Sequence, residues 1–277
     1  MLGVRVESLQ IYPVKSTKGL SVSSAEVQPW GLRHDRRWLV LDPGGENITA
    51  RTHKKLLSVT ALPQPDGSLQ LSAPDLPALC VTAPTTGALL DTGLSRIDQL
   101  RDAGAEAAAW FGDLLALPAR LAWQDDPRRR AVGAHHGGRA EDVMNLADAG
   151  PLLLTTGASL SRLNEWVAQT AAELSEPVPS PLVMDRFRPN VVVRDAEVPF
   201  GEDRWTRVRI GDVAFRASEL CDRCVMTTIE PSSLAKGKEP IRTLARHRRW
   251  DGAVWFGLRL IPEATGTIRV EDVVTAE

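Results

Sequence analysis

The chain has 277 residues, room for one large domain or two modest ones, and an ordinary globular composition of 43% hydrophobic and 25% charged residues. Its formal net charge of −2 argues against an overall electrostatic grip on nucleic acid. No stretch approaches the roughly 20 apolar residues that span a bilayer.

The start MLGVRVESLQIYPVK lacks a basic segment leading into an apolar run, so no secretory signal is expected. Cys80, Cys221 and Cys224 are sparse and odd in number, which fits a reducing compartment rather than a disulfide framework. The expectation is a cytoplasmic protein with neither nucleic-acid nor membrane partners.

The N-terminal third reads as β-structure. In GVRVESLQIYPVK the apolar positions fall at Val4 and Val6, then at Leu9 and Ile11, and a bulge near Ser8 accounts for the change of phase. RRWLVLDPGG predicts a short strand closed by a turn. SLQLSAPDLPALCVTAP has the same short-strand character, and its prolines forbid a long helix. EAAAWFGDLLALP is helical, with Ala108, Trp110, Phe111, Leu114 and Leu115 on one broad apolar face before Pro118.

QDDPRRRAVGAHHGGRAEDV is polar throughout and predicts a linker or mobile loop. GPLLLTTGASLSRLNEWVAQTAAEL then passes from strand to helix. Leu160, Leu163, Trp166, Val167, Ala171 and Leu174 fall at helical spacing, with Thr156 or Ser159 as N-cap. EPVPSPLVMD is a proline-rich connector. Val208 and Ile210, a Gly211-Asp212 turn, then Val213 and Phe215 give a strong hairpin signal. GTIRVEDVV reads as a further strand. Many short strands with two or three helices suit barrels or sandwiches and oppose a doubly wound α/β fold. Neither a Gly-x-Gly-x-x-Gly nor a Walker sequence occurs.

The chemistry concentrates in ELCDRCVMTTIEPSS. A structural zinc site wants about four ligands, and here one Cys-x-x-Cys stands with a distant Cys80 and five scattered histidines. A redox dithiol wants its first cysteine at a helix N-terminus, but the β-branched run after Cys224 favours a strand. Two packing thiols are the bland alternative. The remaining reading is one soft thiolate that binds a soft metal whose other ligands come from a cofactor. Arg223, Thr227 and Thr228 would help to hold an anionic group beside it.

CDRCVMTTIEP resembles the signature of the MOSC domain, named for the C-terminal domain of molybdenum cofactor sulfurase. RFRPNVVV, from Arg186 to Val193, is similar to that family's Phe-Arg-Pro-Asn segment, and the RVRIGDVAF hairpin lies between the two. IYPVKSTKGLSV and GLRHDRRWLVLD resemble the β-barrel domain that precedes the MOSC domain in its reductase branch, which contains the mitochondrial amidoxime-reducing component and its bacterial relatives. The resemblance runs from about Val4 to Val274.

It implies a mostly β, α+β fold with a few helices and two β-barrel-type domains: an N-terminal barrel over 1–125 and a molybdenum-cofactor-binding MOSC domain over 126–277. It further implies a molybdenum cofactor, a metal held by a pterin dithiolene, with Cys224 as the protein thiolate and catalytic residue. Asp222 and Arg223 would lie against the cofactor, and Lys15, Ser16, Arg36, Arg188 and Asn190 would contact the pterin and its phosphate. The residue types suit that role, because a phosphate takes guanidinium forks and hydroxyl or backbone donors.

The implied reaction is reduction of small N-hydroxylated compounds, with electrons from a separate donor: a ferredoxin, a cytochrome b5-like protein or a flavin reductase. The alternatives are a protein that carries the cofactor, or sulfur, without turnover. A full sulfurase would need a pyridoxal-phosphate desulfurase domain for which the chain has no room. Ser232-Ser233-Leu234, Arg259 and Glu271 depart from the family pattern, and Cys221 has no assigned role.

Overall fold

The computed structural model describes residues 3–277. The fold is mostly β. Among the described residues three α-helices accompany the strands: α1 (Ala105–Leu115), α2 (Gly157–Glu173) and α3 (Ile241–His247). None of the helices is long and apolar enough to cross a membrane.

Two compact units alternate along the sequence. One contains the described residues through 10, with 21–29 and 152–277; the other contains 11–20 and 30–151. This division differs from the sequential cut expected between 125 and 126. The first strand, Arg5–Ile11, is bound to Val191–Arg194 by antiparallel pairing, so it belongs with the C-terminal part.

In the first unit one sheet runs in the order Leu20–Val22, Arg5–Ile11, Val191–Arg194, Leu152–Thr156, Ala253–Pro262, Val213–Asp222, Arg207–Ile210, Val274–Ala276. The register shifts between Val6 and Ser8, which is the bulge that the change of hydrophobic phase predicts. Leu152–Thr156 leads directly into α2, whose N-cap is Thr156: its hydroxyl accepts the Ser159 N–H at 3.1 Å. The helices pack over a core of Leu163, Val167, Leu182, Phe187, Leu244 and Phe256. A second irregularity lies between the two longest strands. Leu220 pairs with Leu258, but Asp222 pairs with Trp255, so Ala253–Pro262 carries an extra residue. Gly257 permits this with φ +83°, and a Cβ there would lie 2.9 Å from the Leu154 carbonyl oxygen.

In the second unit one sheet has the order Leu89–Asp91, Gln99–Asp102, Arg120–Trp123, Trp38–Leu41, Asn47–Ile48, and another joins Thr60–Pro63, Leu69–Ala73 and Leu76–Val81. Helix α1 buries Trp110, Phe111, Leu114 and Leu115 as its apolar face predicts, with Ala107 taking the place of Ala108. The polar interval 124–143 is not a linker. Gln124 and Arg130 are fully buried, and Met144 N–H donates to the Arg130 carbonyl at 2.9 Å. The Arg130 charge is absorbed by backbone carbonyls, which a polarity pattern cannot reveal.

Candidate functional site

The cysteine segment closes the strand Val213–Asp222. Cys221 is buried, and Asp222 and Cys224 are exposed. The ladder continues for one more bond, Arg223 N–H to the Val254 carbonyl at 2.8 Å. Cys224 then caps a 3-10 turn, Val225–Thr228, instead of continuing as strand. Two threonines account for the difference. Thr227 Oγ1 donates to the Cys224 carbonyl at 3.0 Å and Thr228 Oγ1 to the Val225 carbonyl at 2.7 Å, bonds that favour a turn over a ladder. All three cysteines are free thiols.

Arg223 points inward. Its Nε donates to the Phe256 carbonyl at 2.8 Å and its Nη1 to the Phe187 carbonyl at 3.0 Å, with the guanidinium over both rings. Burial pulls its pKa down, while Cys221, Asp222 and Cys224 act in the opposite sense. Among the described residues Nη2 of Arg223 is buried without a hydrogen-bond partner. A buried guanidinium donor left in this state suits an added acceptor. Arg223 thereby ties the cysteine segment to Phe187-Arg188. Arg186 makes a second tie, ion-pairing with Glu230.

Arg188 ends a 3-10 turn in the left-handed region, φ 55°, and Phe187 stacks on Phe256 with ring centres 4.1 Å apart. Arg188 thus sits at the cap of a turn and not within a strand. Asn190 is buried in the sheet: its Oδ1 accepts Leu153 N–H at 3.2 Å and its Nδ2 donates to the Gln10 carbonyl at 3.1 Å. That amide stitches neighbouring strands. Asp222 Oδ1 accepts from Arg259 Nη2 at 2.5 Å, and Arg259 also pairs with Glu219. Arg259, a departure from the family pattern, is thus the buried partner of an expected site residue.

Lys15, Ser16 and Arg36 lie in the second unit. Lys15 Nζ donates to the Leu146 carbonyl at 2.7 Å and to Asp148 Oδ1 at 2.6 Å. Burial lowers the Lys15 pKa despite Asp148, and Arg130 and Arg36 add to the lowering. Asp148 is held well below the usual carboxylate range, first by Lys15 and then, against its desolvation, by Arg51 and Arg36 as well. Arg36 pairs with the fully buried Asp35 at 2.7 Å and lies 4.5 Å from the centre of the Tyr12 ring. Ser16 and Arg36 both hold left-handed backbone, φ 70° and 46°, which costs on the order of 1–2 kcal/mol for a residue with a Cβ.

Sequence reasoning missed Arg130 and Asp148. Arg130 Nη1 donates to the Asn145 and Ala147 carbonyls at 2.5 and 2.7 Å, fixing the loop that carries Asp148, and its Nη2 is buried without a partner among the described residues. Burial, beside Arg96, pushes the Arg130 pKa down to about 10. Lys15, Arg36, Arg51 and Arg130 thus face two carboxylates, Asp35 and Asp148, a balance that suits an added anion. The only sequence signal for Arg130 was its place in an arginine run, which gives no hint of burial.

These features define a chain of the MOSC family: the MOSC N-terminal beta barrel domain is matched at residues 3–118 and the MOSC domain at 133–275. The chain is similar to mitochondrial amidoxime-reducing component 1 of Mus musculus, 35% identical across 97% of this chain and 81% of that one. The Homo sapiens protein of the same name is 34% identical, with 97% and 82% covered. Molybdenum cofactor sulfurase of Oryza sativa subsp. japonica is 30% identical over 93% of this chain and 32% of its own length. The function of the chain is accordingly of the molybdenum-cofactor-related MOSC kind.

Proposed function

We propose that this chain is a molybdenum-cofactor-dependent oxidoreductase that reduces small N-hydroxylated compounds with electrons from a separate donor protein, in the cytoplasm. The observation that carries the reading is the exposed Cys224 thiol at the cap of the turn that follows a strand, backed by a buried Arg223 with an unused donor. Among the described residues no three His, Cys, Asp or Glu side chains form a metal cage. A thiolate at Cys224 would bind molybdenum through one sulfur, a soft ligand for a soft metal.

When bound, the cofactor supplies the redox step: an N–O bond breaks, two electrons and two protons enter, and an N–H bond and water result. The chain's own contribution is binding and placement. Arg223 would offer Nη2 to the cofactor's acceptors while its other donors fix Phe187 and Phe256. Lys15, Ser16, Arg36 and Arg130 would bind the phosphate by charge-assisted bonds worth about 1.5–3 kcal/mol each where shielded. Arg188 would contact the pterin, and Asn190 would hold the strand that follows it. Asp222 would present its carboxylate next to Cys224. The donor class remains a ferredoxin, a cytochrome b5-like protein or a flavin reductase.

A carrier of the cofactor or of sulfur is the second reading, favoured by the similarity to a molybdenum cofactor sulfurase. Turnover separates the two. Protein made in cofactor-competent cells and supplied with a reduced viologen dye should convert an amidoxime to the amidine, and Cys224→Ala should not. Bound molybdenum with no turnover would favour the carrier.

A further inference from the structure

The hairpin beside the cysteine segment carries two tryptophans. Arg249–Trp250 returns as Ala253–Pro262 through Asp251 and Gly252, both left-handed at φ 50° and 79°, the geometry of a tight hairpin turn. Trp250 and Trp255 stack with ring centres 6.0 Å apart and planes at 29°. They are fixed from several sides. Trp255 Nε1 donates to the Trp250 carbonyl at 3.0 Å, Trp255 N–H to the Arg248 carbonyl at 3.0 Å, and Arg248 Nε to the Trp255 carbonyl at 3.1 Å. The Arg248 guanidinium lies 5.0 Å from the centre of the Trp250 ring. Even so, Trp250 stays 39% accessible.

Position gives the pair its meaning. Asp222 and Trp255 are opposed across the two strands, and directly opposed residues present their side chains on one face. Asp222 and Cys224, two apart along extended backbone, share the solvent-facing side that Cys221 does not. Val225, immediately after Cys224, is also 39% accessible. The exposed thiol and a rigid aromatic surface therefore occupy one side of this sheet end, where the Asp222 carboxylate is already held by Arg259. A surface already immobilised by its own hydrogen bonds loses little freedom when a flat ligand stacks on it.

We infer that Trp250 and Trp255 form a substrate wall beside Cys224 that selects flat aromatic N-hydroxylated compounds over aliphatic ones of the same N–OH chemistry. The inference rests on the reductase reading. An aromatic ring gains from stacking on indole what a methyl group cannot. The expected preference is about tenfold in kcat/KM, equivalent to about 1.4 kcal/mol.

The test compares benzamidoxime with acetamidoxime on the molybdenum-loaded protein and on Trp255→Leu, Trp255→Phe and Trp250→Leu, with melting curves for each. The native protein should favour benzamidoxime. In Trp255→Leu the KM for benzamidoxime should rise about tenfold more than that for acetamidoxime, and Trp255→Phe should restore most of the preference. Trp250→Leu changes the wall without touching the residue opposite Asp222, and it should shift KM in the same direction. Equal change for both substrates, or no preference in the native protein, overturns the wall.

The same comparison is made on metal-free protein by tryptophan fluorescence. Benzamidoxime should bind about tenfold more tightly than acetamidoxime, and Trp255→Leu should abolish the difference. If the native protein holds no molybdenum and turns over neither compound, the reductase reading fails. Equal binding of the two compounds then overturns the wall as well.

Discussion

Arg223 donates through Nη1 to the Phe187 carbonyl at 3.0 Å while its guanidinium carbon lies 5.4 Å from the centre of the same residue's ring. One arginine beside the cysteine therefore holds the segment in which the packing residue Phe187 and the proposed binding residue Arg188 are adjacent. Phe187→Ala should destabilise the fold by about 3–5 kcal/mol, because a buried aromatic stacked on Phe256 is lost. Arg188→Ala should melt near the native temperature but lower the molybdenum content. Denaturant unfolding and metal analysis of both variants check this, and unfolding by Arg188→Ala alone would contradict it.

Cys224→Ala should abolish reductase activity, whereas Cys221→Ala should retain much of it. Cys221 is buried in the strand and can be replaced by a smaller apolar group at the cost of a small cavity, but a methyl group cannot bind a metal. Activity per bound molybdenum is the readout. Equal loss in both variants, with an intramolecular disulfide in the native protein, would favour a dithiol instead.

Lys15 and Asp148 are opposed in their effect on anions. Lys15→Met should weaken binding of inorganic phosphate to the metal-free protein roughly tenfold, the loss of one charge-assisted bond. Asp148→Asn should strengthen it, because the carboxylate that now neutralises Lys15 and Arg51 is removed. Isothermal titration at constant ionic strength measures both. Unchanged affinity in each variant would remove this group from the binding reading.

Glu202 gives a pH signature. Burial raises its carboxyl pKa, although the Ser159 hydroxyl, which donates to it at 2.7 Å, favours the charged form. The folded state therefore binds more protons than the unfolded one above about pH 4.3, and stability falls as pH rises from there through the folded value. Glu202→Gln cannot ionise. Its melting temperature should exceed that of the native protein at neutral pH, and the gap should close towards about pH 4. Parallel melting curves across this range would contradict the assignment.

Local features were legible in the sequence where periodicity or turn chemistry fixes the backbone. The bulge between Val6 and Ser8, the Thr156 cap and the hairpin at Gly211-Asp212 all follow from residue order. The turn after Cys224 was not legible, because its β-branched residues favour a strand and two threonine hydroxyls reverse that preference locally. Arg130 was hidden for a related reason: a charge looks exposed until the carbonyls that bind it are known. Helix α3 escaped because its seven residues, IRTLARH, carry too few turns to show a period. The pairing of Arg5–Ile11 with Val191–Arg194 is non-local and leaves no mark on either segment. For the site, the cysteine segment was visible as a motif, while the contributions of Arg259 and Asp148 depend on contacts across distant positions.

The most direct measurement of the central claim is metal and pterin analysis of the native protein and Cys224→Ala, both purified from cofactor-competent cells. A single thiolate site predicts about one molybdenum per native chain at full occupancy, with pterin in equal amount, and little of either in the variant. Stoichiometric zinc without molybdenum or pterin in the native protein would contradict it.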